Sequence, residues 1–244
     1  MSEFSRRSFL LLGLAFLTGC AGEQSVSSLP GTPWASGRDR NHDSEHEADH
    51  TIPNYQPTTS DPHNTSKLNT VPPYGLPTGV IPRSRWATGN PIQSRLNPMT
   101  RIYRITVHHD GMDAFWSSGV SDTKARLDNI RKAHLGRNFG DIGYHYIVDR
   151  AGRVWEGRPI VYQGAHVKYH NPGNIGVMCL GNFDLQSPTN LQLAALNQHV
   201  ALLMRRWRVP VPLIFTHQEL RPTACPGHSM QQHMVMLRRS GFLA

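Results

Sequence analysis

Hydrophobic positions fall into three zones along the 244 residues. An apolar run of nine residues, Phe9 to Leu17, follows Arg6 and Arg7 and is too short to span a bilayer. From Ala21 to Gly79 no apolar period is sustained. Ser, Thr, Pro, Asn, Asp and His dominate, and such a segment buries too little to offset chain entropy, which predicts a disordered tether. Periodic patterning starts near Val80. Tyr103, Ile105 and Val107 alternate with Arg104, Thr106 and His108, the period of a strand over 101–108. Asp122 to Leu135 predicts a helix with Leu127, Ile130 and His134 on one face and Gly136 as its stop. Tyr144 to Asp149 and Val154 to Glu156 predict a hairpin around Ala151-Gly152, and Asn174 to Leu180 predicts a further strand. Leu193, Leu196, Val200, Leu203 and Trp207, spaced 3, 4, 3, 4, mark the clearest helix; Pro188 or Thr189 starts it and Pro210 lies beyond its end. Leu213 to Thr216 predicts a short strand delivering His217 into a loop, and Ser229 to Arg239 a closing helix. Strands interleaved with helices, without an internal repeat, predict one α/β domain over 80–244 with a central mixed β-sheet flanked by helices.

Charge sharpens this division. From Pro82 onward there are 20 Lys/Arg against 9 Asp/Glu, whereas Ala21 to Gly79 holds 3 against 7. A basic domain behind an acidic spacer is not a nucleic-acid arm, so no nucleic-acid partner is expected; it suits contact with an anionic polymer or envelope surface. The spacer histidines His42, His46, His50 and His63 read as solvated linker, because no rigid frame fixes ligand geometry there.

The first twenty residues read as an address. Ser-Arg-Arg-Ser-Phe-Leu resembles a twin-arginine export signal, and Leu17-Thr18-Gly19-Cys20 resembles a lipobox. These features predict cleavage before Cys20, lipidation of its thiol, and an exported protein held at a membrane of the cell envelope by a lipid anchor. An ordinary cleaved signal with a chance cysteine is the alternative, and it also predicts export.

Candidate chemistry gathers at strand ends. His108 and His217 each close a predicted strand, and Cys225 follows His217 by eight residues. Two imidazoles and a thiolate leave the open position of a catalytic zinc site. The residues alone admit other arrangements: His109 competes with His108, and Cys225 could pair with Cys179 in an oxidising compartment.

Several ordered segments bear on that choice. They are Ile81-Pro82-Arg83-Ser84-Arg85-Trp86, Ile105-Thr106-Val107-His108-His109, Ile130 to His134, Asp141-Ile142-Gly143-Tyr144-His145-Tyr146, Gly152 to Arg158, Gly164-Ala165-His166, Asn174 to Val177 with Gly181-Asn182-Phe183, and His217 to Gly227. Together they resemble peptidoglycan recognition proteins and the related type 2 N-acetylmuramoyl-L-alanine amidases. The resemblance covers roughly Val80 to the C-terminus. It implies one Zn2+ per chain held by His108, His217 and Cys225, with Tyr144 as the catalytic tyrosine. Thr223 stands where some members carry a catalytic lysine, which implies a weaker catalytic contribution. The cysteine pair common in animal members is missing after His109, which points to a bacterial member. The implied partner is peptidoglycan, glycan strands with stem peptides, and the implied bond is the amide between the lactyl group of N-acetylmuramic acid and L-alanine. A non-catalytic recognition module of the same fold is the alternative. His166 is expected at the cleft rim as a substrate contact, with His109 as a second candidate contact, and Cys179 as a small apolar core residue.

Overall fold

The alternating segment forms strand β2 (Arg104–His109), and every residue after Arg104 in it is buried. This computed structural model describes residues 76–243. The export signal, Cys20, the spacer histidines and the tether up to residue 75 lie outside the described residues.

Around β2 a six-stranded mixed sheet assembles from β1 (Val80–Ile81), β3 (Tyr146–Val148), β4 (Val154–Glu156), β5 (Asn174–Cys179) and β6 (Ile214–Thr216). The order is β1-β4-β3-β5-β2-β6; only the β3–β4 hairpin is antiparallel. The hairpin turns as its residues demand. Asp149 accepts the N–H groups of Ala151 and Arg153, each at 3.0 Å, and Gly152 takes φ 79°. Central strands β2 and β5 run parallel in register from Arg104 opposite Asn174 to His109 opposite Cys179.

Three helices cover the sheet: α1 (Val120–Gly136), α2 (Asn190–Trp207) and α3 (His228–Arg239). Ile105, Val107, Ile175 and Val177 pack on Leu196, Val200 and Leu203 of α2 and on Met230 and Met234 of α3. Across the sheet, Ile147, Trp155, Met178 and Leu180 pack with Leu127 and Ile130 of α1 and with Trp86 and Tyr144. No β2 side chain joins that second cluster: there β2 shows Thr106 and His108, both buried and polar. The gap in apolar packing is where the chemistry gathers.

Element ends depart from the pattern for local reasons. Helix α2 starts after Thr189, whose hydroxyl accepts the Gln192 N–H at 3.0 Å, a cap contributing about 1 kcal/mol. Helix α1 starts two residues before the expected Asp122, because Gly119 takes the cap position without a side-chain bond. Tyr144 and His145 precede β3 instead of opening it, although His145 N–H still bonds Gly176 O at 2.9 Å. Leu213 closes a 3-10 turn before β6, and His217 opens another.

One buried carboxylate ties the α1 face together. Asp141 has no solvent exposure and accepts from Arg83 at 2.8 and 3.0 Å and from Arg131 at 2.6 Å. The spare guanidinium N–H groups go to Gly89, Thr88 and Asn90 carbonyls. Arg158 donates to the backbone carbonyls of Asp141 and Ile142. Asp141→Ala strands two buried guanidiniums and is expected to cost about 3–5 kcal/mol, read as a lower urea midpoint.

Burial also holds the His134, His145 and His199 imidazoles down to about 4. The unfolded chain, with imidazoles near 6.5, therefore takes up protons first as pH falls. This contribution to stability is complete above about pH 6.5 and is lost progressively toward pH 4. Lowering pH from 7 to 5 should cost on the order of 2 kcal/mol per buried imidazole, measured by denaturant titration at both pH values. Equal midpoints at the two pH values would contradict it.

Candidate metal centre

The polar α1 side of β2 sets the first ligand. His108, fully buried, has Nδ1 3.5 Å from Cys225 Sγ, and its ring centroid lies 4.8 Å from that of His217. Strand β6 pairs with β2 in parallel and ends at Thr216, so His217 arrives beside His108. Glu219 accepts the Thr216 N–H at 2.8 Å and is itself held by Arg238 of α3, which fixes that turn. Cys225 enters on the loop after the turn, its carbonyl accepting from Gln218 N–H at 2.9 Å.

One ligand atom from each of His108, His217 and Cys225 lies within 4.8 Å of the other two. Ligands about 2.0–2.3 Å from a tetrahedral ion stand roughly 3.3–3.7 Å apart, so side-chain shifts on the order of 1 Å suffice to close the group on zinc. Donor chemistry agrees. Burial first, then the neighbouring histidines His166, His217 and His109, keeps His108 neutral, well below its ordinary value. Burial holds His217 at about 4, and pushes the Cys225 thiol up to about 12, so metal binding there must displace the thiol proton. Cys179 and Cys225 are both free thiols, so the alternative disulfide is not formed.

His166 corrects one expectation. It lies not at a rim but behind His108, 7% exposed. The Asn174 carbonyl, which only accepts, lies 3.2 Å from His166 Nε2. That nitrogen therefore carries the proton, and His166 Nδ1 accepts from His108 Nε2 at 3.0 Å. His108 is left with its lone pair on Nδ1, the atom facing Cys225. A backbone carbonyl thus dictates the tautomer of a candidate metal ligand through one intervening ring. Gly176 makes room for it: a Cβ there would sit 2.7–2.9 Å from the His166 ring.

His109 is not part of the metal group. It is 4% exposed and its Nδ1 accepts the Phe183 N–H at 3.2 Å, which leaves no rim position for substrate contact. Cys179 has no exposure and packs in the core, as expected. Tyr144 stands with its ring centroid 5.1 Å from His108, and burial raises its phenol far above the ordinary value, so it keeps its proton. Thr223 is exposed, and its oxygen accepts the Cys225 N–H at 3.3 Å. Sequence reasoning gave no site role to two further histidines. His134 accepts the Gly143 N–H at 3.0 Å and lies 5.8 Å from the Tyr144 ring. His145 accepts the Gly176 N–H at 3.0 Å and donates to Tyr162 O. Both lie in segments that carry the family resemblance, and His145 directly follows Tyr144.

Comparison with known proteins identifies the family and the fold. The family model described as N-acetylmuramoyl-L-alanine amidase matches residues 98–228. A peptidoglycan-recognition protein of Drosophila melanogaster is 30% identical over 150 residues, 61% of this chain and 81% of that protein. The endolysin of Enterobacteria phage K11 is 35% identical over 121 residues, 46% of this chain and 79% of the phage protein. Among solved structures, peptidoglycan recognition protein-LE in complex with tracheal cytotoxin shares the fold, with TM-score 0.59 at 22% identity, covering 65% of this chain and 93% of that one. The chain belongs to the N-acetylmuramoyl-L-alanine amidase family.

Proposed function

We propose that this protein is a zinc-dependent N-acetylmuramoyl-L-alanine amidase that hydrolyses the amide between the lactyl group of N-acetylmuramic acid and L-alanine of peptidoglycan. The observation that carries this reading is the His108, His217 and Cys225 group set beside a protonated Tyr144. Relatives supply the substrate class: one is a phage endolysin, and the recognition-protein structure holds a monomeric peptidoglycan fragment. The export signal and Cys20 extend the proposal to an enzyme lipid-anchored in the cell envelope, with the spacer giving it reach.

When bound, zinc supplies Lewis acidity at the scissile carbonyl and lowers the pKa of an attacking water. The chain's own residues do the rest. His166 holds the His108 ring in the tautomer and plane that ligation needs. Tyr144 has a hydroxyl uncommitted to any other described residue, and its raised pKa makes it a donor and not a base. In this reading it hydrogen-bonds the oxyanion as charge develops on the carbonyl oxygen. Thr223, with its oxygen engaged by Cys225 N–H, retains its own proton for a weaker bond to substrate. The C–N bond breaks to leave the lactyl carboxylate and the free α-amine of L-alanine.

Three substitutions separate these roles. His217→Ala should abolish both tight zinc binding and turnover of peptidoglycan; full activity in a metal-free preparation of it would sink the zinc assignment. Tyr144→Phe should keep one zinc per chain while kcat falls about 10²–10³-fold. His166→Ala should retain all three ligands yet weaken zinc binding about 10–100-fold, read by competition with a chelator. Wild-type protein that holds zinc and binds peptidoglycan without releasing new amines would favour the recognition-module reading.

A further inference from the structure

The wall beside the metal group carries two cations that have no counter-charge among the described residues. Tyr169 is 77% exposed, with Lys168 Nζ 5.2 Å and Arg221 Cζ 5.3 Å from its ring centroid. Its backbone takes φ 69°, the left-handed region that bulky L residues avoid, so the exposed ring is held out by a conformation its own sterics oppose. Both arms of this stack are tied to the metal group. Tyr169 follows His166 by three residues, and Arg221 N–H bonds His217 O at 3.1 Å. The contact therefore bridges the loop behind His108 and the loop that bears His217 and Cys225.

Several arginines of the fold are ion-paired within it. Arg83, Arg126, Arg131, Arg153 and Arg238 each hold a carboxylate. Among the described residues neither Lys168 nor Arg221 has one. Glu219, the acid on the same turn, is committed to Arg238.

We propose that Lys168, Tyr169 and Arg221 form an anion-binding rim that takes a free carboxylate of the stem peptide and lays the peptide side of the substrate along this wall. A planar carboxylate matches the guanidinium fork of Arg221, with Lys168 as a point charge and the Tyr169 ring keeping the two cations in place. This deepens the amidase reading and rests on it for the identity of the ligand.

The test is calorimetric titration of the zinc-loaded full chain with the tripeptide L-Ala-γ-D-Glu-L-Lys, which lacks the scissile bond, with both carboxyls free or both amidated. Wild type should bind the free acid about tenfold tighter than the amide, as charged hydrogen bonds of this kind imply. Arg221→Gln should bring the two forms within about twofold of each other, and Lys168→Gln should reduce the preference part of the way. Lys168→Gln, on an exposed side chain away from the metal ligands, decides the matter if Arg221→Gln fails to fold. Equal affinity for both peptides in wild type would overturn the proposal. So would variants that weaken acid and amide by the same factor. Carboxylate preference without any amidase turnover would overturn the amidase reading and keep the rim; turnover without preference would do the reverse.

Discussion

A carboxylate with no access to water, Asp141, governs the half of the molecule in which the chemistry sits. Two guanidiniums converge on it, one from the 3-10 turn at Arg83–Arg85 and one from α1, and their remaining N–H groups are spent on loop carbonyls. Such a triad resists rearrangement because each misplaced partner leaves a charge unsolvated in a low dielectric. It adds little net stability compared with apolar packing, but it admits one arrangement. Three residues later the chain reaches Tyr144, whose carbonyl accepts the Arg158 N–H, while the Arg158 side chain returns to the Asp141 and Ile142 carbonyls. The position of the phenol is thus inherited from an ion pair.

The second constraint is the parallel register of β2 and β5. It places the Asn174 carbonyl opposite the start of β2 and Gly176 opposite Thr106, so the His166 ring settles over a residue with no side chain and reaches both a carbonyl and His108. Five of the histidines around the centre are neutral because of burial, and four of them take a hydrogen bond at Nδ1: His109, His134 and His145 from a backbone N–H, His166 from His108. The exception is His108, which presents Nδ1 to Cys225. Its lone pair stays on that atom because Nε2 carries the proton donated to His166, whose own proton is held by the Asn174 carbonyl.

Much of this was legible in the chain, and the exceptions have physical causes. The alternation at Tyr103, Ile105 and Val107 against Thr106 and His108 yields β2 and its polar face, because a half-polar strand obeys a period of two. The 3, 4, 3, 4 spacing of α2 and the Thr189 cap read equally well. The start of α1 did not, since Gly119 caps without a side-chain signal. His217 was placed at a strand end, but a three-residue strand flanked by 3-10 turns has too few periods to fix its bounds. The burial of His166 was not legible either: it depends on the missing Cβ of Gly176 on another strand. The contact of Tyr169 with Arg221 joins residues 52 positions apart in loops without periodicity.

The distance along the chain between the ligands has a consequence for biosynthesis. His108 and Cys225 touch across 117 residues, and strands β3 to β6 and helices α1 and α2 lie between them. No chain that stops short of Cys225 owns the complete donor set, and closing so long a loop waits until the parallel pairings around β2 have formed. Capture of any ion there has to follow those pairings, which would make it a certificate of a finished domain. Any ion held there stabilises only the completed fold, by mass action, and chains that stop short of Cys225 gain nothing from it.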